Sequence, residues 1–95
     1  VQNNQLPVSM KLSQNYPNPF NASTSISYSL TKQSEIRIII FDILGREVKT
    51  LVNSKLPAGE YLLSFNANDM ASGLYFYSMI IDGNLFETKK MVLVK

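Results

Sequence analysis

Ninety-five residues, 45% of them hydrophobic, are enough for one folded core and too few for two domains. The chain has no cysteine, which excludes disulfides and thiolate metal sites, and no histidine, which removes the commonest general base and transition-metal ligand. Nine Lys/Arg against seven Asp/Glu leave a net charge of +2, too mild by itself to imply nucleic acid, and no apolar run approaches the ~18 residues that a membrane-spanning helix needs.

The opening stretch, 1–9, has no basic region followed by an apolar run, so it does not read as a secretory leader. It reads as the end of a linker and a processing region of a longer protein, with one domain at 10–95. Met10 to Gln14 is expected as a first short strand. Tyr16-Pro17-Asn18-Pro19-Phe20 follows. Each proline pushes its predecessor toward extended geometry and lacks an N–H, so this stretch cannot be a central strand. It is expected to form a rigid corner that binds nothing, with Tyr16 and Phe20 both pinned into the core.

Period-two alternation governs what comes next. In Ser25-Ile26-Ser27-Tyr28-Ser29-Leu30, Ile26, Tyr28 and Leu30 should face a core and the serines water. Glu35 to Phe41 is β-branched and apolar on both faces near its end, as in a central strand. Asp42-Ile43-Leu44-Gly45 predicts a tight turn with positive φ at Gly45, and Arg46 to Val52 the returning strand. After Pro57-Ala58-Gly59, a strand over 60–65 should turn Tyr61, Leu63 and Phe65 to one side. Asn66 to Ser72 is a polar loop with room for one helical turn at 68–72. Leu74 to Ile81 and Leu85 to Val94 are the last strands, joined by Asp82-Gly83, the strongest hairpin signal in the chain. About seven short strands with turn signals near every ten residues predict an all-β, Ig-like or fibronectin-III-like antiparallel sandwich.

Catalysis has little support in these residues. The seven acids are scattered, and Asp42 and Asp82 sit where turns favour Asp for backbone reasons. Asn66, Asn68 and Asp69 offer oxygen ligands at close spacing, a weak calcium candidate that lacks the acid count and glycine placement of an EF-hand loop. Loop bracing is the preferred reading. Tyr75, Phe76 and Tyr77 could be a stacking platform, but alternation turns Phe76 away from its neighbours, so core packing is preferred. Tyr61 and Tyr75 each follow a glycine by two residues, and their phenols are expected to tie back to backbone. Asn21-Ala22-Ser23 fits the N-glycosylation pattern, which arises often by chance. Lys89, Lys90 and Lys95 lie on the last strand. They read either as protection of an edge strand or as a cationic strand presented to a partner.

Taken together, LSQNYPNPFN (12–21), STSISYSL (23–30), FDILGREVKTLV (41–52), AGEY (58–61), ASGLYFY (71–77) and KKMVLVK (89–95) resemble the type A C-terminal sorting domain of the type IX secretion system, also called the Por secretion tail. Many members of that subgroup carry proline where this chain has Ala22. The resemblance implies a non-catalytic Ig-like module, without cofactor, that directs a fused N-terminal cargo across the outer membrane of Bacteroidetes and their relatives. It implies as partners the outer-membrane translocon and a sortase-like protease that removes the domain upstream of Met10. The cargo is then released or attached at the cell surface. Neither nucleic acid nor membrane insertion is implied. The recognition residues it points to are Gly73, Leu74 and Tyr75, with Lys89, Lys90 and Lys95. The sequence also resembles the Ig-like domain of flagellar hook-capping proteins. The alternatives are a structural Ig-like module or a carbohydrate-binding accessory module of a secreted enzyme.

Overall fold

The structure is a computed structural model that describes residues 6–95. Of the expected linker 1–9, positions 1–5 lie outside the described residues. Seven strands follow one another: β1 (Lys11–Leu12), β2 (Ser23–Leu30), β3 (Ser34–Phe41), β4 (Glu47–Leu56), β5 (Gly59–Asn66), β6 (Gly73–Ile81) and β7 (Asn84–Leu93). They form two antiparallel sheets, ordered β1-β2-β5 and β4-β3-β6-β7. This is the strand order of a fibronectin-III-like sandwich, as the spacing of strands and turns predicts.

Alternation sets which side chains meet between the sheets. In β2, Thr24, Ile26, Tyr28 and Leu30 are buried while the intervening serines are half-exposed or exposed. They pack against Ile36, Ile38 and Ile40 of β3, Tyr75, Tyr77 and Met79 of β6, and Met91 and Leu93 of β7. β3 lies between β4 and β6, which explains its apolar character on both faces. Ile39 points out of the core cluster yet is only 1% exposed, because neighbouring strands flank it on both sides.

The turns use the expected chemistry. Asp82 and Gly83 take φ of 50° and 85°, the two positive values that a type I′ hairpin requires. At the β3–β4 turn, Asp42 Oδ1 accepts from Leu44 N (2.9 Å) and Arg46 N (3.0 Å), and Gly45 takes φ 81°. These backbone donors, led by the Arg46 N–H, hold the Asp42 carboxyl below its ordinary pKa. Four expectations are corrected. The first strand covers only Lys11–Leu12 rather than Met10 to Gln14, because β2 pairs with it only at Ser29 and Tyr28. β4 continues to Leu56 rather than ending at Val52, because β3 offers it partners down to Ser34. Residues 68–72 form no helical turn; Met70 N donates to Ala67 O (3.0 Å) in an isolated turn, with Ala67 and Met70 buried beneath it. Tyr16 is 82% exposed, and only Phe20 enters the core.

Candidate recognition site

The two groups of residues that the sequence singles out lie side by side. β6 and β7 pair in register Gly73↔Leu93, Leu74↔Val92, Tyr75↔Met91, Phe76↔Lys90 and Tyr77↔Lys89. Gly73, Leu74 and Tyr75 therefore share one end of the four-stranded sheet with the last residues of β7. Alternation divides this ribbon into two faces. Tyr75, Tyr77, Met91 and Leu93 go into the core, while Leu74, Phe76, Lys90 and Val92 point the other way. On that outer face Leu74 is 38% exposed, Lys90 is exposed, and Phe76 and Val92 are half-buried.

Each predicted residue can be placed. Gly73 starts β6 at φ 150°, a backbone conformation that side chains disfavour. Tyr75 is buried, and its phenol donates to Ala71 O (2.7 Å), four residues upstream. Tyr61 repeats the device on Pro57 O (2.6 Å) and stacks on Tyr28, with ring centroids 5.1 Å apart. These tie-backs lock the entry of a strand by satisfying a corner carbonyl. Tyr75 thus builds the site and presents no phenol to a partner. Lys89 is half-buried and pairs with Glu87 (3.0 Å). Lys95 Nζ donates to Asn68 O (2.7 Å) and its backbone N to Ser72 Oγ (3.0 Å), which fastens the chain to the β5–β6 loop.

Two of the three side chains of the weak metal candidate are already engaged. Asn66 Oδ1 accepts from Asn68 N (2.9 Å), and Asp69 pairs with Lys49 (3.3 Å). The loop-bracing reading describes these contacts. Among the described residues, no three His, Cys, Asp or Glu side chains group as metal ligands.

Sequence reasoning missed what happens along the outer edge of β7. Phe20 N donates to Val92 O (2.9 Å), and Val94 N donates to Phe20 O (2.9 Å). Asn18 Oδ1 accepts from Val92 N (2.9 Å), and Gln14 Nε2 donates to Lys90 O (2.6 Å). The terminal half of β7 is therefore not a free edge; residues 14–20 cover it. The same segment reaches the other sheet through Tyr16, whose N and O both bond Ser25 (2.8 and 3.0 Å). Beneath it, the Tyr77 hydroxyl donates to Ser13 O (2.7 Å) and accepts from Asn15 N (2.8 Å). Burial pushes the Tyr77 phenol up to about 12, with Glu87 adding to the rise and the Asn15 N–H opposing it. Asn15, 2% exposed, donates to Pro17 O (3.1 Å) and Thr24 Oγ1 (3.0 Å). One signal for this was available. Prolines at 17 and 19 remove two backbone donors, and Asn18 between them carries the stretch's one polar side-chain amide.

Comparison with known proteins agrees with this architecture. Residues 14–95 match the family described as the secretion system C-terminal sorting domain. No curated protein matches the sequence. Among solved structures, the Pseudomonas fluorescens alkylpurine DNA glycosylase AlkC, bound to DNA containing an abasic site analog, is similar with a TM-score of 0.56 and 16% identity. The match covers 90% of this chain and 30% of that one, and at this identity it shows a shared fold alone. With the family match extending from Gln14 through the corner at 16–20 to the end of β7, the chain belongs to the secretion system C-terminal sorting domains, the sorting signals of type IX secretion.

Proposed function

We propose that the export machinery reads the outer face of the β6–β7 ribbon, through Leu74, Lys90 and Val92, with Gly73, Tyr75, Lys89 and Lys95 holding that face in shape. The observation that carries this is the β7 edge. Lys90 O, Val92 N, Val92 O and Val94 N already have partners in 14–20, so a partner cannot add a strand there without displacing Phe20 from the core. Side chains on the face remain available. An apolar strip with an exposed lysine suits a partner that is apolar at the centre of contact and acidic at its rim.

In this reading the translocon at the outer membrane engages the folded domain and carries the fused N-terminal cargo across. A sortase-like protease then cuts upstream of Met10, and the cargo is released or attached at the cell surface. The domain contributes no catalysis. Among the described residues, no helix is long and apolar enough to cross a membrane.

The test is export of a full-length cargo bearing Leu74→Asp with Lys90→Ala. The expected result is folded cargo retained in the periplasm. Adding Lys89→Ala and Lys95→Ala to Lys90→Ala should slow export less, because those two lysines bond within the domain. Normal export of folded Leu74→Asp, Lys90→Ala cargo would sink the proposal.

A further inference from the structure

A sandwich built from two open sheets has four edges, and three of them here are blunted. β1 is two residues long. β7 is bonded to 14–20 along its terminal half, slips register against β6 between Met79 and Ile80, and carries Lys89 and Lys90. β4 slips register against β3 twice, between Ile38 and Ile39 and between Ile40 and Phe41, and carries Glu47, Lys49 and Lys55. Short strands, bulges, covering segments and charges are the devices by which sheets refuse further pairing.

Among the described residues, β5 has no bulge, no covering segment and almost no charge. It pairs with β2 over eight consecutive residues without a shift, from Gly59↔Leu30 to Asn66↔Ser23. It contains no lysine, arginine or proline, and Glu60 is its single charge. Its other edge has no strand beside it among the described residues. At its centre Leu62 points away from the core and is 73% exposed, while Tyr61, Leu63 and Phe65 anchor the opposite face. The edge is thus straight, fixed from beneath, nearly uncharged and apolar at its middle.

We infer that β5 is a self-association edge, on which two copies of this chain pair antiparallel, β5 to β5, about a two-fold axis. The choice of occupant follows from charge and symmetry. A two-fold axis normal to the sheet keeps the outer faces of both copies on the same side, so the register is centred on one residue. Centred on Leu62, it sets Leu62 against its own copy and Glu60 opposite Ser64, so that no like charges meet. The two three-stranded sheets become one continuous sheet of six, and the exposed leucines cover each other. The inference does not rest on how the domain is exported.

Sedimentation of the chain from micromolar to millimolar concentration should show a monomer–dimer equilibrium that stops at two. Leu62→Lys, which places two cations face to face on an exposed site, should weaken the dimer by roughly tenfold or more while the far-ultraviolet spectrum stays unchanged. Ser64→Pro should do the same by removing an edge donor, and a free peptide copying residues 59–66 should compete with the dimer. Because the chain has no cysteine of its own, Leu62→Cys should oxidise to a covalent dimer and Thr50→Cys, on β4, should not. A monomer at every concentration would overturn the inference, even if it bound the peptide. So would an association that Leu62→Lys leaves intact, or one that grows beyond two.

Discussion

Along one flank of the sandwich, residues 14–20 run between the sheets and bond both, through Ser25 on β2, Val92 on β7 and Val94 just beyond it. Along the other, β4 and β5 end their sheets with no strand on their outer edges among the described residues. The two flanks place their apolar side chains differently. On the closed flank a fully buried aromatic, Phe20, and an inward-facing hydroxyl, Tyr77, fix an irregular segment against the core. On the open flank Leu62 and Val48 stand in water. The contrast shows how a chain rich in strand signal limits its own pairing. It covers the outer edge of β7 with a proline-stiffened segment and leaves the β5 edge regular.

If the closed flank is structural, breaking it should cost far more than altering the open one. The largest effect is expected from Phe20→Ala, at about 3–5 kcal/mol in chemical denaturation, since the ring is 2% exposed and packs near Phe65. Ala22→Pro should come next, at about 3 kcal/mol. Ala22 sits at φ 73°, which the proline ring cannot adopt. Ala22→Gly, in contrast, should raise stability by about 1 kcal/mol, because only glycine occupies that region without penalty.

Tyr77→Phe should cost about 1–3 kcal/mol by leaving Ser13 O and Asn15 N without their buried partner. It also gives a pH test. The Tyr77 phenol is raised from 10.0 to about 12, so the folded state resists its ionisation. Its contribution is complete below pH 10 and is lost as pH rises from there toward 12. Denaturation measured over that window should fall more steeply in the parent than in Tyr77→Phe, with a remaining slope from Tyr28, which burial also raises.

Asn18→Ala should cost about 1 kcal/mol and speed hydrogen exchange at the Val92 amide, which would lose its acceptor. The smallest effect belongs to the open flank: Leu62→Ala should stay within about 0.5 kcal/mol in dilute solution. A loss there comparable to that of Phe20→Ala would erase the comparison.

Much of the fold was legible because it rests on local rules. Strict alternation at Ile26, Tyr28 and Leu30 assigns the inner face of β2 without knowledge of its neighbours. Asp82-Gly83 specifies its hairpin through the φ values that its two residues tolerate. The tie-backs of Tyr61 and Tyr75 were readable for the same reason, since each spans four residues. The same hairpin sets Gly73–Tyr75 beside the terminal residues of β7, a neighbour relation that the register shows.

What the sequence could not decide lies in contacts between distant segments. Gln14 meets Lys90 across 76 positions, and Asn18 meets Val92 across 74. Neither pairing has a local signature. Two aromatics flanking two prolines look equivalent along the chain, yet Phe20 is buried and Tyr16 exposed, because only one of them faces the space between the sheets. By itself the sequence determined the strands, the turns and the face each strand turns inward, since those depend on backbone torsions and on a period of two. Only the tertiary structure decided which edges are closed. Edge closure depends on where a donor finds an acceptor in space, and for β7 those acceptors come from residues folded back from the other end of the chain.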